Sequence, residues 1–106
     1  MSNITHIRNK RESDSFIEGE EKCIIFYSAK YCPACHEIKP LYARIAKRYS
    51  EKYGISFSIM DIEEAGLQLD TVPIFEGYHR GEGVKRMEGV DTASLKQFIK
   101  AMIKQR

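Results

Sequence analysis

Tyr31-Cys32-Pro33-Ala34-Cys35-His36 is the stretch whose reading decides the fold. It follows a run of strand formers, Cys23-Ile24-Ile25-Phe26-Tyr27-Ser28, and opens a long amphipathic segment that ends near Tyr53. A Cys-x-x-Cys at a strand-to-helix junction, in a chain with no sign of secretion, reads as a redox motif. The first turn of a helix leaves four N–H groups unpaired and carries the positive end of the macrodipole. Both favour a thiolate, so Cys32 is expected to ionise below the ordinary thiol value of about 8.5. Cys35 follows one turn further on the same face, close enough to close a small disulfide ring, so that one sulfur attacks and the other resolves.

Working outward, Ile38, Leu41, Tyr42, Ile45, Ala46 and Tyr49 recur at helical spacing and form one apolar stripe, while Lys39, Arg44, Lys47, Arg48 and Lys52 share the other face. Pro33 suits a first helical turn. Pro40 removes one backbone bond inside the helix and is expected to kink it, and Gly54 fits the left-handed residue that stops it. Upstream, Asn3 to Ile7 reads as a short edge strand. A short helix is expected next, capped by Ser13 or Asp14 and ended at Gly19. Cys23 to Ser28 is apolar enough for a strand buried on both faces. Downstream, Ile55, Phe57 and Ile59 alternate with Ser56, Ser58 and Met60 as a second internal strand. Glu63 to Leu69 reads as a short helical patch. Val72 to Phe75 and Val84 to Glu88 read as two strands of a hairpin, with Gly77, Gly81 and Gly83 implying a loop longer than two residues. Asp91 caps a last helix with an apolar stripe of Leu95, Phe98, Ile99, Met102 and Ile103. The order β-α-β-α-β-α-β-β-α is an α/β chain with a central mixed sheet and helices on both faces, its βαβ crossover right-handed.

At 106 residues the chain reads as a single domain over 1–106. Charged residues are 30% of the chain and the net charge is +2, too small to imply nucleic acid or an anionic membrane as partner. No run approaches the ~18 apolar residues of a membrane span. Arg8, Lys10 and Arg11 are followed by no apolar core, so no signal peptide is read there. Three cysteines, two of them in the motif, are not a structural disulfide framework, which points to a reducing, cytoplasmic setting.

The chain resembles the thioredoxin family over nearly its whole length. The Cys-x-x-Cys after a buried strand carries the resemblance, with Pro40 five residues beyond Cys35. Thr71-Val72-Pro73, whose proline lies 38 residues beyond Cys35, matches the family's cis-proline loop. Gly81 and Gly89 stand 8 and 16 residues past Pro73, where the family has glycines. The resemblance implies a thioredoxin fold and a Cys32/Cys35 dithiol–disulfide cycle that reduces protein disulfides. Cys32 is then the nucleophile and Cys35 the resolving thiol. Tyr31, Pro33, Thr71, Val72 and Pro73 form the substrate platform, with Val72 offering its backbone to an extended segment. No cofactor or metal is implied. The electron donor is a thioredoxin-reductase-type enzyme or glutathione, and a monomer is expected.

There are departures. Pro33-Ala34 between the cysteines and Thr71-Val72-Pro73 are also glutaredoxin-like, so glutathione-dependent chemistry is the alternative. Its glycine-glycine-aspartate element appears only as Gly89-Val90-Asp91. A non-catalytic binding module is a third reading, against which the intact cysteines stand. Thioredoxins keep a buried aspartate where Phe26 stands and often a lysine where Phe57 stands. Losing both together is the tolerable change, because a lone buried charge is costly. It leaves no internal base for the Cys35 proton, and slow resolution is expected. A structural zinc site needs two further ligands, and Cys23, His6, His36 and His79 offer no second close pair. Cys-x-x-Cys-His also matches c-type haem attachment, but a strand enters this motif. His36 is expected to be solvent-exposed or to add positive potential at Cys32.

Overall fold

The computed structural model describes residues 3–89 and 91–106. Its elements are β1 (Ile4–Ile7), α1 (Lys10–Gly19), β2 (Lys22–Ser28), α2 (Pro33–Tyr53), β3 (Ile55–Asp61), α3 (Ile62–Ala65), β4 (Ile74–His79), β5 (Glu82–Glu88) and α4 (Thr92–Lys104). They form one five-stranded sheet in the order β1-β3-β2-β4-β5. β3 pairs in parallel with β1 and β2, whereas β4 runs antiparallel to β2 and β5. The expected mixed sheet is therefore the one observed.

β2 lies at the centre, and every residue from Cys23 to Ser28 is buried. Phe26 pairs with Phe75 across β2 and β4, so both rings point to one face. α2 and α4 cover that face through Tyr42 and Phe98, whose rings pack against Phe26 and Phe75. The neighbouring Tyr27 points to the opposite face, where it shares a cavity with Lys10, Ser13 and Ile17 of α1. The core thus has two layers of side chains, one on each side of the sheet.

Four local details differ from the sequence reading. α1 begins at Lys10 and is capped by Asn9, whose Oδ1 accepts the Glu12 N–H at 2.9 Å. Ser13 is instead buried inside the helix. Asn9 followed three residues later by Glu12 is itself a start signal, and the Glu12 carboxylate accepts the Arg8 N–H at 2.8 Å. α3 is a single turn rather than a patch to Leu69. Asp61 caps it and Gly66, at φ +71°, closes it in the left-handed conformation. The β4–β5 loop is two residues, Arg80 and Gly81, both at positive φ, which is the hairpin turn that matches strand twist. Gly77 and Gly83 belong to the strands, and Val84 forms a bulge opposite the Gly77/Tyr78 step. A Cβ at Gly77 would collide with Met102 Sδ of α4, so any larger residue there needs the Met102 side chain to shift.

Strict alternation in β3 also fails, since both Ser58 and Met60 are buried. Ser58 is tolerated because its hydroxyl donates to the Ile24 carbonyl at 2.9 Å, while its own carbonyl accepts from the Tyr42 hydroxyl at 2.8 Å. Pro40 lies inside α2. Gly54, at φ +64°, ends that helix as expected. No helix among the described residues is long and apolar enough to cross a membrane.

Candidate active site

The end of β2 delivers the chain to the motif through a tight turn. The Cys32 N–H donates to the Ala29 carbonyl at 3.2 Å. Cys32 is the N-cap of α2, with extended backbone, and its Sγ accepts the Cys35 N–H at 3.1 Å. One of the orphan donors of the helix therefore points at sulfur, along the positive end of the helix dipole. Pro33 follows at the first helical position, where it has no N–H to lose.

Cys32 and Cys35 are joined as a disulfide, with their Cα atoms 5.3 Å apart. The two sulfurs are not equivalent. Cys32 retains 6% exposure, whereas Cys35 has none and lies behind it in the core. Sγ of Cys32 also lies 3.7 Å from the Val72 carbonyl oxygen, 40 residues away in sequence. The Val72–Pro73 peptide bond is cis. Pro73 is buried, and its carbonyl accepts the Gly89 N–H at 2.9 Å, which ties the loop to the end of β5.

Around the exposed edge of Cys32 is an open depression of about 350 Å³, lined by Tyr31, Pro33, Ala34, Asp70, Thr71 and Val72. The structure thus gathers every sequence-derived site residue at one place: Tyr31, Cys32, Pro33, Thr71 and Val72 on the rim, Cys35 and Pro73 beneath. Tyr31 is 64% exposed, the most exposed large apolar side chain described. The Gly89-Val90-Asp91 element is only partly accessible to description, because Val90 lies outside the described residues.

Two braces of the motif carried no local signal in the sequence. The exposed His36 ring holds its Nε2 2.8 Å from the Lys30 carbonyl, so Nε2–H is the donor and the ring staples the turn before Cys32. Glu63 of α3 accepts the Lys30 N–H at 3.3 Å. Asp70, on the rim, likewise carries no motif signal in the sequence.

Behind the motif, the positions that are acid and base in thioredoxins hold aromatic rings. Phe26 stacks on Phe75 with centroids 4.5 Å apart and meets the edge of Tyr42 at 5.1 Å. Phe57 meets Tyr42 at 5.7 Å, so the Tyr42 ring packs against both phenylalanines. The joint loss of acid and base is therefore filled by apolar packing, and the Tyr42 hydroxyl satisfies itself on the Ser58 backbone. Cys23 is fully buried and outside the pair, and burial, reinforced by Glu20, pushes its thiol up to about 12.

A mixed sheet of this order, with a disulfide at the mouth of the helix that follows its central strand, defines a thiol–disulfide oxidoreductase. The thioredoxin family model matches residues 4–101, and the chain belongs to that family. It is 27% identical over 95 residues to thioredoxin 1 of Plasmodium falciparum, covering 88% of this chain and 91% of that protein. The structure of a P. falciparum thioredoxin matches with a TM-score of 0.80 at 26% identity, over 92% of this chain and 98% of that one. A poplar thioredoxin h matches in fold with a TM-score of 0.83 at 21% identity, over 98% and 99% of the two chains.

Proposed function

We propose that the protein reduces disulfides in protein substrates by a Cys32/Cys35 cycle, acting as a single-domain monomer in the cytoplasm. The observation that carries this is the asymmetry of the pair: the sulfur that opens on the depression is the one at the helix N-terminus, and its partner is sealed behind it. In the reduced protein the Cys35 N–H and the helix dipole favour the Cys32 thiolate. That thiolate attacks one sulfur of a substrate disulfide. The Cys32–substrate S–S bond forms, the substrate S–S bond breaks, and the departing thiolate takes a proton from water. Cys35 then gives up its proton and attacks Cys32 Sγ, releasing the second substrate thiol and forming the Cys32–Cys35 disulfide. Two electrons have passed to the substrate, and a donor must return them.

Val72 sits beside the reacting sulfur with its carbonyl 3.7 Å away, and in this reading it pairs with an extended substrate backbone while Tyr31, Pro33 and Thr71 flank it. The donor is a thioredoxin-reductase-type enzyme. Insulin reduction tests both parts: it proceeds with a thioredoxin reductase and NADPH, is weak with glutathione and glutathione reductase, and stops in Cys32→Ser. Equal support from glutathione would make the donor glutaredoxin-like. Full activity of Cys32→Ser would reject the cycle. A Cys35→Ser variant traps Cys32 in mixed disulfides with substrates, and trapping through Cys23 instead would contradict the assignment.

A further inference from the structure

The charges of this protein are segregated. α2 carries Lys39, Arg44, Lys47, Arg48 and Lys52 against Glu37 and Glu51, and α4 carries Lys96, Lys100 and Lys104 with no carboxylate. Those eight cations and two acids leave nine cations and thirteen acids for the rest of the chain, which is net negative although the whole is +2. The ion pairs among the described residues lie elsewhere, at Arg8–Glu12, Lys10–Asp14, Arg80–Glu21, Arg86–Glu76 and Arg86–Glu88, and the His6 Nε2–Glu64 contact at 3.0 Å is also remote from these helices. Among the described residues the cations of α2 and α4 thus form no salt bridge.

They also frame a cavity. Between α2 and α4 lies a groove of about 360 Å³, with Arg44 and Arg48 on one wall and Lys96 and Lys100 on the other. All four are exposed, and the half-buried Leu41 and Tyr49 lie on its floor. Each wall sets two like charges at i,i+4, a spacing that disfavours an isolated helix. The cost has no return within the fold, since no carboxylate lines the groove.

We propose that this groove docks an acidic polypeptide segment of a disulfide-bearing partner, with carboxylates meeting Arg44, Arg48, Lys96 and Lys100 and an apolar side chain covering Leu41 and Tyr49. The inference rests on the redox reading of Cys32 and Cys35, because it defines which protein disulfides reach them. The complementarity is that of a short mixed segment. A long polyanion or a membrane plane would extend past the groove onto the acidic remainder of the surface, and neither needs an apolar floor. Leu41 to Tyr49 lie nine to seventeen residues beyond Cys32 on the same helix, roughly 13–25 Å along its axis. A partner anchored there can present its disulfide at the mouth of α2 through a linker of about eight extended residues.

The test uses the pre-reduced full-length protein and peptides bearing one disulfide, an eight-residue glycine–serine linker and a tail of mixed leucine with either glutamate or glutamine. At low ionic strength the glutamate tail is expected to raise kcat/KM by about tenfold over the glutamine tail, mainly through KM. The combined Arg44→Gln, Arg48→Gln, Lys96→Gln and Lys100→Gln variant should reduce both peptides at the glutamine-tail rate and leave the rate on neutral hydroxyethyl disulfide unchanged. Raising NaCl to about 0.5 M should erase the preference in the unaltered protein, which needs no variant to fold. Equal rates for the two tails, or a preference that survives charge removal, would overturn the proposal. Failure on hydroxyethyl disulfide would instead strike the redox reading, and anisotropy of a labelled glutamate tail without a disulfide would still test the groove. Tighter binding of duplex DNA or of phosphatidylserine vesicles than of that tail, lost in the variant, would overturn the assignment to a polypeptide.

Discussion

Replacing Phe26 by aspartate puts back the acid that thioredoxins hold at this position, into surroundings that have been rebuilt without it. The side chain has no exposure and is wedged between Phe75 at 4.5 Å and Tyr42 at 5.1 Å. Loss of the ring alone costs roughly 3–5 kcal/mol, as for other buried phenylalanine truncations. The carboxyl adds a pH-dependent part. With no cation beside it, its folded pKa should rise by about 3 units from an unfolded value near 3.9. A group raised in the folded state keeps its contribution below the unfolded pKa and loses it as pH climbs to the folded one. Between about pH 4 and 7 the unfolded chain binds fewer protons than the native one, so stability falls by about 1.4 kcal/mol per unit, roughly 4 kcal/mol in all. The assay is urea unfolding of the oxidised Phe26→Asp and Phe26→Asn proteins from pH 4 to 8. The two should coincide at pH 4 and diverge upward, Phe26→Asp falling far enough to approach unfolding at neutral pH. Parallel curves would mean that the carboxylate reaches water or a cation, and that the space is not the dry aromatic cluster described. In the same variant, at a pH where it is still folded and partly ionised, mixed disulfides should resolve faster than in the unaltered protein. No acceleration would dismiss the view that the missing internal base slows Cys35.

Three further expectations follow from single contacts. Gly77→Ala should destabilise by about 1–3 kcal/mol through overpacking against the buried Met102, and should cost less in a Met102→Ala background than in the unaltered protein; urea unfolding of the four proteins of that cycle reads both. Cys23, buried and with its thiol pushed up to about 12, should take no iodoacetamide label in the folded oxidised protein at pH 8.5 and one label in guanidinium, by mass spectrometry. Any stability tied to that raised value is kept below the unfolded thiol pKa and declines as pH rises toward 12. The Asp91 carboxyl is held below its ordinary range first by the Ser94 N–H, then by the Ser94 hydroxyl. Its capping contribution is therefore present above the unfolded carboxyl pKa and fades as pH falls through the lower folded one. The difference in Tm between Asp91→Ala and the unaltered protein should shrink to nothing in strong acid.

Much of this architecture is local physics, and that is why it was legible. The 3.6-residue stripe from Ile38 to Tyr49, the Gly54 stop and the Asp91 cap are decided by residues within a turn or two of one another. The same holds for the cysteine pair, where a strand, two sulfurs and a first-turn proline adjoin in the chain. The misreadings came where a local signal had two meanings. Gly77 and Gly83 resemble loop residues, yet one makes room for Met102 and the other lies in β5 and pairs with Tyr78 of β4. Ser13 and Asp14 looked like caps, yet Asn9 already supplied one.

What the chain alone determined, then, was the element order, the redox pair and the family to which both belong. Tertiary structure decided which sulfur faces solvent, that Val72 stands beside it from 40 residues away, and that Tyr42 packs against the phenylalanines at positions 26 and 57. It also decided that two basic helices meet along an apolar-floored groove. Periodicity and capping act over a few residues, and sequence displays them directly. Exposure, the approach of a carbonyl to a sulfur, and the summed field of two helices arise only when distant segments are packed against one sheet.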